Sequence, residues 1–353
     1  MNEILSNITQ NIRRTYTPYV CNLYEPVSVW SEKDTINNKV TDALVIILRT
    51  RGCGWGKNTN CTMCGYFTDT TLDVEVPSQD LILQFNKAIK KYRNEEMIKI
   101  YTSGSFLDEH EIPTEVREYI LKNLPEKIKA LSIESRPEYI KEDTLDEIQR
   151  LIPDKDLEIG IGLETSNDYI REYSINKGFT FNDYKRTSDI IKRYNYKIKT
   201  YVLVKPLFLT ECEAIKDAVN TVKDTKRYTD KISFNPVNIQ RYTLVEYLWR
   251  TGQYHPSWLW SIIEIIKESS SIIKNNRKIH LKCEPVGGGT KHGAHNCGAC
   301  DHITLKKIRE YNLTQDSTIF NNLDCRCKEL WIDQLELEGI SFGVIKNTRA
   351  ETR

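Results

Sequence analysis

Strand-like and helical segments alternate along most of the chain, and this alternation constrains the fold more than any other feature. Short apolar runs rich in β-branched residues recur, and the segments between them carry apolar residues at spacings of three and four, as amphipathic helices do. A strand that is followed by a crossover helix pairs in parallel with the next strand. The sequence therefore predicts an α/β fold built on a parallel sheet. The predicted strands are Asp42–Leu48, Met97–Thr102, Ala130–Glu134, Leu157–Leu163, Ile198–Val204, Lys231–Phe234 and Lys278–Cys283. The predicted helices are Ser78–Tyr92, Glu115–Leu124, Lys141–Leu151, Phe181–Tyr194 and Glu211–Lys223.

Composition narrows the class of protein. The 353 residues include 50 Lys and Arg against 49 Asp and Glu, so the net charge of +1 argues against a globally basic nucleic-acid binder. No run of about 18 apolar residues occurs, and Met1–Gln10 lacks the layout of a signal peptide. We therefore expect a cytoplasmic protein without a membrane partner. Seven of the 10 cysteines fall in two groups, which in a long intracellular chain indicates metal ligation rather than disulfides.

A cysteine loop follows the first predicted strand directly. Cys53, Cys61 and Cys64 are spaced C-x7-C-x2-C, without a fourth cysteine close by, and four glycines lie between or beside them. A closed iron-sulfur site uses four thiolates, so three thiolates leave one iron of a [4Fe-4S] cluster free to bind a cofactor or substrate. The glycines allow the backbone to approach such a cluster closely. A three-ligand zinc site and unconnected core cysteines are the alternatives.

At these residues the chain resembles the radical S-adenosylmethionine (SAM) superfamily, whose usual motif is C-x3-C-x2-C. The longer first spacing resembles a branch related to the Elongator catalytic subunit. The resemblance implies a partial (β/α)6-type barrel with a C-terminal Cys/His metal-binding extension. It also implies a [4Fe-4S] cluster on the three cysteines, SAM at the open iron, and an external electron donor. We predict an N-terminal extension at residues 1–40, the barrel at 41–275 and the metal-binding segment at 276–353.

Four further segments resemble SAM-binding elements of that branch, in the same order along the chain. The turn at 103–105 corresponds to the turn that receives the SAM amino group, and 134–137 to an ETRPD element whose arginine, Arg136, suits the SAM carboxylate. Segments 160–164 and 176–178 resemble the GVQS and RGH elements of the same branch. A strand with small residues, as at 160 and 162, allows the backbone to approach the adenine of SAM. The cofactor-binding residues that the resemblance implies are Ser103, Gly104, Ser105, Glu134, Arg136, Gly160, Gly162, Glu164 and Lys177. No catalytic residue beyond these is identified.

A second group of cysteines lies near the end of the sequence. Cys297 and Cys300 form a C-x2-C knuckle, a spacing at which two thiolates bind one zinc ion, and Cys325 and Cys327 complete a four-thiolate set. We predict a structural zinc that stabilises this segment. A second iron-sulfur cluster and a reduced, metal-free group are the alternatives. The competing ligands are Cys283, His292 and His295.

The segment around the C-x2-C knuckle (HNCGACD) and Pro256–Ser261 (PSWLWS) resemble the archaeosine-forming radical SAM enzymes. That resemblance implies a lyase of archaeal tRNA modification. Its substrate carries a lysine on the 7-cyano-7-deazaguanine base at position 15, in the D-arm, and cleavage of the lysine C–N bond leaves archaeosine. The implied partners are this tRNA and the lysine-transferring archaeosine synthase subunit.

Three other functions compete with this prediction. An Elongator-type tRNA uridine modifier would normally carry an acetyltransferase domain, for which roughly 75 residues after the barrel are too few. The second is a radical SAM enzyme of a small molecule, and the third a non-catalytic zinc module that binds RNA. Trp249, Trp258 and Trp260 beside Arg241 and Arg250 suit base stacking, although core packing explains such a stripe more often.

Overall fold

One eight-stranded sheet organises the molecule. The computed structural model describes residues 3–18, 21–72, 74–274 and 279–340. Strands β2 to β8 pair in parallel in sequence order, and β1 pairs antiparallel with β2 at one edge. The strands are β1 (Ser28–Ile36), β2 (Lys39–Ile47), β3 (Met97–Tyr101), β4 (Ala130–Glu134), β5 (Asp156–Glu164), β6 (Lys197–Val204), β7 (Lys231–Pro236) and β8 (His280–Cys283).

Helices connect the parallel strands, as the alternating pattern predicts. The helices are α1 (Glu3–Arg13), α2 (Gly54–Asn58), α3 (Ser78–Ile89), α4 (Thr114–Lys122), α5 (Glu142–Leu151), α6 (Asp168–Ile170), α7 (Phe181–Arg193), α8 (Glu211–Thr225), α9 (Leu244–Arg250), α10 (Leu259–Ile273), α11 (Asp301–Thr314) and α12 (Cys327–Ile340). Short 3-10 turns lie at Tyr66–Asp69, Pro137–Tyr139 and Ser317–Phe320, and a π-helical turn at Arg171–Ile175.

The predicted α/β partial barrel is confirmed. Each predicted strand overlaps an observed parallel strand, although Lys278 itself lies outside the described residues. The sheet holds seven parallel strands rather than six, since β8 pairs in parallel with β7. Strand β1 was not predicted. It joins β2 through a two-residue hairpin in which Asn37 and Asn38 have φ of 48° and 63°, the left-handed pair that asparagine tolerates in such turns.

The two faces of the sheet differ in polarity. Successive side chains of a strand point to opposite faces, and on β3 Ile98 and Ile100 join the apolar core that also contains Leu81 and Phe85 of α3. Lys99, between them in sequence, faces the other way and is 2% exposed. The helices therefore cover an apolar convex face, while the concave face carries buried polar groups.

Those polar groups form an interior ion network. Asp34 of β1 lies 3.3 Å from the Lys231 ammonium and 3.1 Å from that of Lys282, and it also pairs with Lys99. Burial alone would raise the pKa of the Asp34 carboxyl, but Lys231, Lys282 and Lys99 hold it well below its ordinary value. Since Asp34 and Lys282 belong to opposite edges of the sheet, their contact shows that the sheet curls until the interiors of its edges meet. The network also includes Glu158 and Lys199.

The predicted division into three segments stays a prediction. The boundary at 275 and 276 falls outside the described residues. Strand β1, from the predicted N-terminal extension, and β8, from the predicted metal-binding segment, both belong to the one sheet. None of the helices among the described residues combines the length and the apolar run that crossing a bilayer requires.

Candidate functional site

The cysteine loop leaves the carboxyl end of β2 and brings three thiols together. Cys53 directly precedes α2, and the Cys64 amide donates to the Cys61 carbonyl at 3.2 Å. Burial raises the pKa of the Cys64 thiol to about 12, and the neighbouring Cys61 and Cys53 add to that shift. Without a cation the Cys64 thiol therefore stays protonated, and bound iron would replace its proton.

The turn after β3 packs against this loop. A Cβ added at Gly104 would lie 2.7 Å from the Cα of Cys53, so only glycine allows the two backbones to approach. The Ser103 hydroxyl donates to the Tyr66 carbonyl at 3.2 Å. The predicted turn at 103–105 is thus in direct contact with the cysteine loop.

Glu111 joins the same two segments and was not predicted. The Thr50 hydroxyl, at the start of the cysteine loop, donates to one carboxyl oxygen at 2.6 Å, and the Ser105 amide donates to the other. Burial raises the pKa of Glu111 to about 7. A lone glutamate in a loop carries no spacing signal, so sequence reasoning had no means to select it.

The segment after β4 continues the site. The Arg136 amide donates to the Ser105 hydroxyl at 3.0 Å. The Arg136 guanidinium lies 5.1 Å from the Trp55 ring centroid and 5.4 Å from that of Phe179, and it pairs with Glu138. This cation is buried between aromatic rings beside the cysteine loop, where a carboxylate ligand would be held strongly.

Glu134 and Gly160 face each other on neighbouring strands. A Cβ added at Gly160 would lie 3.3 Å from the Glu134 Cγ and 3.0 Å from the Tyr201 ring, so these side chains pack closely against the glycine on the concave face. The Tyr201 hydroxyl donates to Glu134. Burial raises the pKa of the Glu134 carboxyl, and Lys199 partly opposes that shift.

Glu164 and Lys177 form a nearly buried ion pair at 2.7 Å. Glu164 has a left-handed φ of 69°, at the point where the register of β5 and β6 shifts. Burial alone would lower the pKa of Lys177, but Glu164 and Cys61 hold it above its ordinary value. A Cβ at Gly162 would lie 2.7 Å from the Lys177 ammonium, so this glycine makes room for the pair.

The π-helical turn and the segment that follows it hold the cysteine loop from another side. The Thr62 hydroxyl donates to the Ser174 carbonyl at 2.7 Å, and the Trp55 indole donates to the Asn176 carbonyl at 2.8 Å. Gly178 has a φ of +81°, and a Cβ there would overlap the Trp55 ring. A π-helical turn of this kind is often found at functional sites.

Two further segments, which sequence reasoning did not assign to the site, contact the cysteine loop. The Gln240 side chain, in the loop after β7, accepts from the Gly65 amide at 2.6 Å. From the other side, Arg13 of α1 donates to the Gly56 carbonyl and Gln10 to a nearby carbonyl of the same loop. None of these three residues belongs to a motif, because each acts through contacts with a distant part of the chain.

The predicted residues are therefore assembled in one place. The loops after β2, β3, β4 and β5 converge at the carboxyl edge of the sheet, where parallel α/β folds place their ligands. Their assigned roles toward SAM stay predictions. The residues brought together there are Cys53, Cys61, Cys64, Ser103, Gly104, Ser105, Glu134, Arg136, Gly160, Gly162, Glu164 and Lys177.

The C-terminal cysteines form a second, tighter group. The sulfur atoms of Cys297, Cys300, Cys325 and Cys327 all lie within 4.8 Å of one another. The distances from Cys297 to Cys325 and from Cys300 to Cys327 are both 3.7 Å. Sulfur atoms at the corners of a tetrahedron around one zinc ion, each at about 2.3 Å, are about 3.8 Å apart. The geometry fits a single tetrahedral ion better than a second cluster.

Neighbouring donors point at this group. The Trp260 indole donates to the Cys327 sulfur at 3.3 Å, and the Asn296 amide to the Cys300 sulfur at the same distance. Such donors stabilise thiolates. Trp260 therefore has a structural role, as has Trp258, whose indole donates to Gln334.

The competing ligands lie elsewhere. Cys283 is buried in β8, among the core residues that surround α10. The His292 ring lies 4.6 Å from that of Trp249, and the His295 ring 4.9 Å from that of His255. None of the three belongs to the group of four sulfur atoms.

The chain is similar to known proteins over most of its length. Residues 47–219 match the profile of the radical SAM superfamily. The chain is 41% identical over 348 residues to the archaeosine synthase subunit beta of Methanosarcina acetivorans, covering 97% of this chain and 98% of that protein. It is 36% identical over 312 residues to the archaeosine synthase subunit beta of Thermococcus kodakarensis, covering 86% and 95%.

Among solved structures, the archaeal Methanocaldococcus infernus Elp3 with an N-terminal deletion has a similar fold. Its TM-score is 0.50 at 16% identity, over 66% of this chain and 59% of that one. At this level of identity the similarity concerns the fold alone.

Proposed function

Because the chain belongs to the archaeosine synthase subunit beta family of radical SAM proteins, we propose that it completes archaeosine in tRNA. The proposed reaction breaks the C–N bond of a lysine attached to the 7-cyano-7-deazaguanine base at position 15. The observation that carries the proposal is the cysteine loop with three thiols, surrounded by buried charged groups at the carboxyl edge of the sheet.

The cysteine loop would hold the cofactor that the family uses. Cys53, Cys61 and Cys64 are the proposed ligands of a [4Fe-4S] cluster, with SAM at the fourth iron. When bound, the cluster and SAM supply the radical that starts the reaction. Burial of the loop beneath α1 and the loop after β7 would limit the access of water and oxygen to the cluster.

The charged groups around the loop fit the polar parts of SAM. Arg136 offers a buried guanidinium to the carboxylate, and the turn at 103–105 offers a place for the amino group. Glu134 and Glu164 provide acceptors for hydroxyl and ammonium groups. Internal hydrogen bonds and an ion pair hold these groups in place, which would lower the cost of ordering them when SAM binds.

Other components follow from the same proposal. The four C-terminal cysteines would hold one structural zinc ion, for which the sulfur distances of 3.7 Å are the support. The lysine-transferring archaeosine synthase subunit would be the physical partner that supplies the modified tRNA. An external donor would reduce the cluster.

The test is mass spectrometry of nucleosides after anaerobic incubation of the reconstituted, reduced protein with SAM and tRNA. We expect archaeosine from lysine-modified tRNA, and none from unmodified tRNA. Cys53→Ala should lose both iron and product because alanine offers no ligand. The matched control is Cys212→Ala, which removes a thiol outside both groups.

Two results would contradict the proposal. A fully loaded protein that forms no 5'-deoxyadenosine with modified tRNA would exclude the radical reaction. Turnover of a wobble uridine instead would assign the chain to Elongator-type chemistry.

A further inference from the structure

A basic and aromatic surface borders the cysteine loop and is not used by the chemistry proposed above. Five side chains define it, and we name it the α9 surface. They are Arg241, Tyr247, Trp249, Arg250 and Lys291. We propose that the α9 surface binds unstacked nucleotides of the RNA that flank the reacting base. This inference deepens the proposed function and rests on it.

The position of the surface supports this role. Arg241 directly follows Gln240, which holds the Gly65 amide beside the last cluster cysteine. At the start of α9, the Val245 amide donates to the Thr62 carbonyl within the cysteine loop at 3.3 Å. Nucleotides bound on α9 would therefore be adjacent to a base that enters the carboxyl edge of the sheet.

The aromatic side chains suit stacking. The Tyr247 side chain is 57% exposed on α9. Trp249 is half-buried, with its ring 4.6 Å from the His292 ring and 5.6 Å from the Lys291 ammonium. A ring supported from one side is fixed in position, and a base stacked near it would bring its phosphate toward the lysine.

The charge of the surface differs from that of the whole chain. The net charge of the 353 residues is +1, so a general attraction to RNA is absent. Arg241, Arg250 and Lys291 are all exposed here. Glu246 is the neighbouring acid, and it is engaged by Arg250 at 2.6 Å and by the Tyr242 amide at 2.6 Å. The local excess of cations is the electrostatic pattern expected of a nucleic-acid contact.

The backbone beside the surface is held in a costly conformation. Tyr242 has a left-handed φ of 62°, which is unusual for a bulky residue. Its ring packs 5.1 Å from that of Tyr16, and the Glu246 carboxylate accepts from its amide. Strain of this kind concentrates at functional sites. Here it fixes the turn that presents Arg241.

RNA fits this surface better than a protein partner does. An enzyme that acts on a base within a folded nucleic acid must take that base out of its stack, and the flanking nucleotides then need new stacking partners. Exposed aromatic rings with interspersed cations supply such partners without reading sequence. A protein interface would instead be expected to bury an apolar centre with few charges.

The experiment measures binding of the full-length, metal-loaded protein to fluorescein-labelled tRNA transcript by anisotropy, across a series of salt concentrations. The double variant Arg241→Glu/Lys291→Glu should raise Kd at least tenfold. It should also reduce the slope of log K against log salt by about 2, since each phosphate contact contributes about 0.9. Tyr247→Ala should raise Kd by about 5- to 150-fold through loss of stacking.

The matched control is Lys90→Glu/Lys91→Glu, which reverses two exposed charges at the end of α3, at the amino edge of the sheet. This variant should retain the wild-type Kd within about twofold, since the reversed charges lie more than a Debye length of about 8 Å from the surface. Iron content and melting temperature of every variant establish that it is folded. Tyr247 is exposed, so we expect Tyr247→Ala to fold normally and to test stacking directly. A substitution of the half-buried Trp249, such as Trp249→Leu, could also change stability.

The outcomes separate this inference from the proposed function. The proposed role of the α9 surface in RNA binding would be wrong if the surface and control variants had equal Kd and salt slope. It would also be wrong if the wild type did not bind tRNA. Archaeosine formation by the same wild-type preparation, measured in parallel, tests the function independently. If tRNA bound through the α9 surface but no archaeosine formed, the RNA-binding role would stand and the proposed reaction would be wrong.

Discussion

At the scale of single residues, the contact between Gly178 and Trp55 controls how the cysteine loop is held. The indole donates to the Asn176 carbonyl, and its ring covers Gly178, whose φ is +81°. The Arg136 guanidinium lies 5.1 Å from the centroid of the same indole ring. One glycine thus lets the segment after the π-helical turn reach both the cysteine loop and a predicted SAM contact.

We predict that Gly178→Ala lowers both SAM affinity and iron loading, because a Cβ at this position displaces Trp55. The matched control is Gly252→Ala, whose φ is +72° but whose Cβ would have nothing within 4 Å. Both variants bear the cost of a left-handed alanine, about 1–2 kcal/mol, so only the first should affect the cofactors. SAM binding by calorimetry and iron analysis are the measurements. Equal loss of cofactor in the two variants would attribute the effect to backbone strain alone.

The residues of the site differ in how far sequence alone could identify them. The cysteines and the turn at 103–105 were predictable, because their spacing or order behind a strand resembles a family pattern. Glu111 and Gln240 were not, since each is a single polar residue whose importance arises from a hydrogen bond with a distant part of the chain. These hydrogen bonds form only when folding brings distant segments together, so the local sequence does not reveal them.

At the scale of elements, the four C-terminal cysteines connect two helices. Cys297 and Cys300 precede α11, while Cys325 and Cys327 lie at the start of α12. Few apolar side chains of α12 are buried, namely Cys327 and Trp331. A metal ion at the four sulfurs would therefore supply much of the attachment of this helix.

We predict one zinc ion per chain in addition to the iron of the cluster. Cys300→Ala should remove it and lower the melting temperature, because metal binding is coupled to folding. Cys212→Ala is the control and should retain zinc. Metal and sulfide analysis of both variants is the measurement. A loss of iron and sulfide from Cys300→Ala, with no zinc in the wild type, would identify a second cluster instead.

Among the elements, the parallel strands were predictable and β1 was not. The parallel strands are buried and rich in β-branched residues, whereas β1 reads SVWSEKDTI and has mostly polar side chains. Its polarity reflects its place in the fold. Asp34 faces the buried lysines of the concave side, so charge rather than apolar area is its contribution to the interior.

At the scale of the whole molecule, the interior ion network closes the curled sheet. Asp34 contacts lysines of β3, β7 and β8, which span most of the sheet. Glu158 lies 2.8 Å from Lys231, and burial alone would raise its pKa, but Lys231 and Lys199 lower it to about 2. The barrel interior is therefore held by ion pairs between buried side chains.

We predict that Asp34→Ala lowers the free energy of unfolding by about 3–5 kcal/mol, because it leaves buried ammonium groups without their partner. The matched control is Asp42→Ala on the same hairpin. Asp42 pairs with Lys33 at 2.7 Å, but both side chains are more than half exposed, so the cost should be below about 1 kcal/mol. Urea unfolding of the metal-loaded proteins is the measurement. Similar losses in the two variants would show that the network does not stabilise the closed sheet.

The hydrogen bond from the Gly65 amide to Gln240 can form only after the residues between them have been synthesised. The two residues are 175 positions apart. At about 5–20 residues per second, a ribosome needs on the order of 10 to 35 s to make the chain between them. Throughout that interval the cysteine loop lacks its contact with the loop after β7. We therefore expect the proposed cluster to be loaded after synthesis, with the three thiols kept reduced until the barrel is nearly complete.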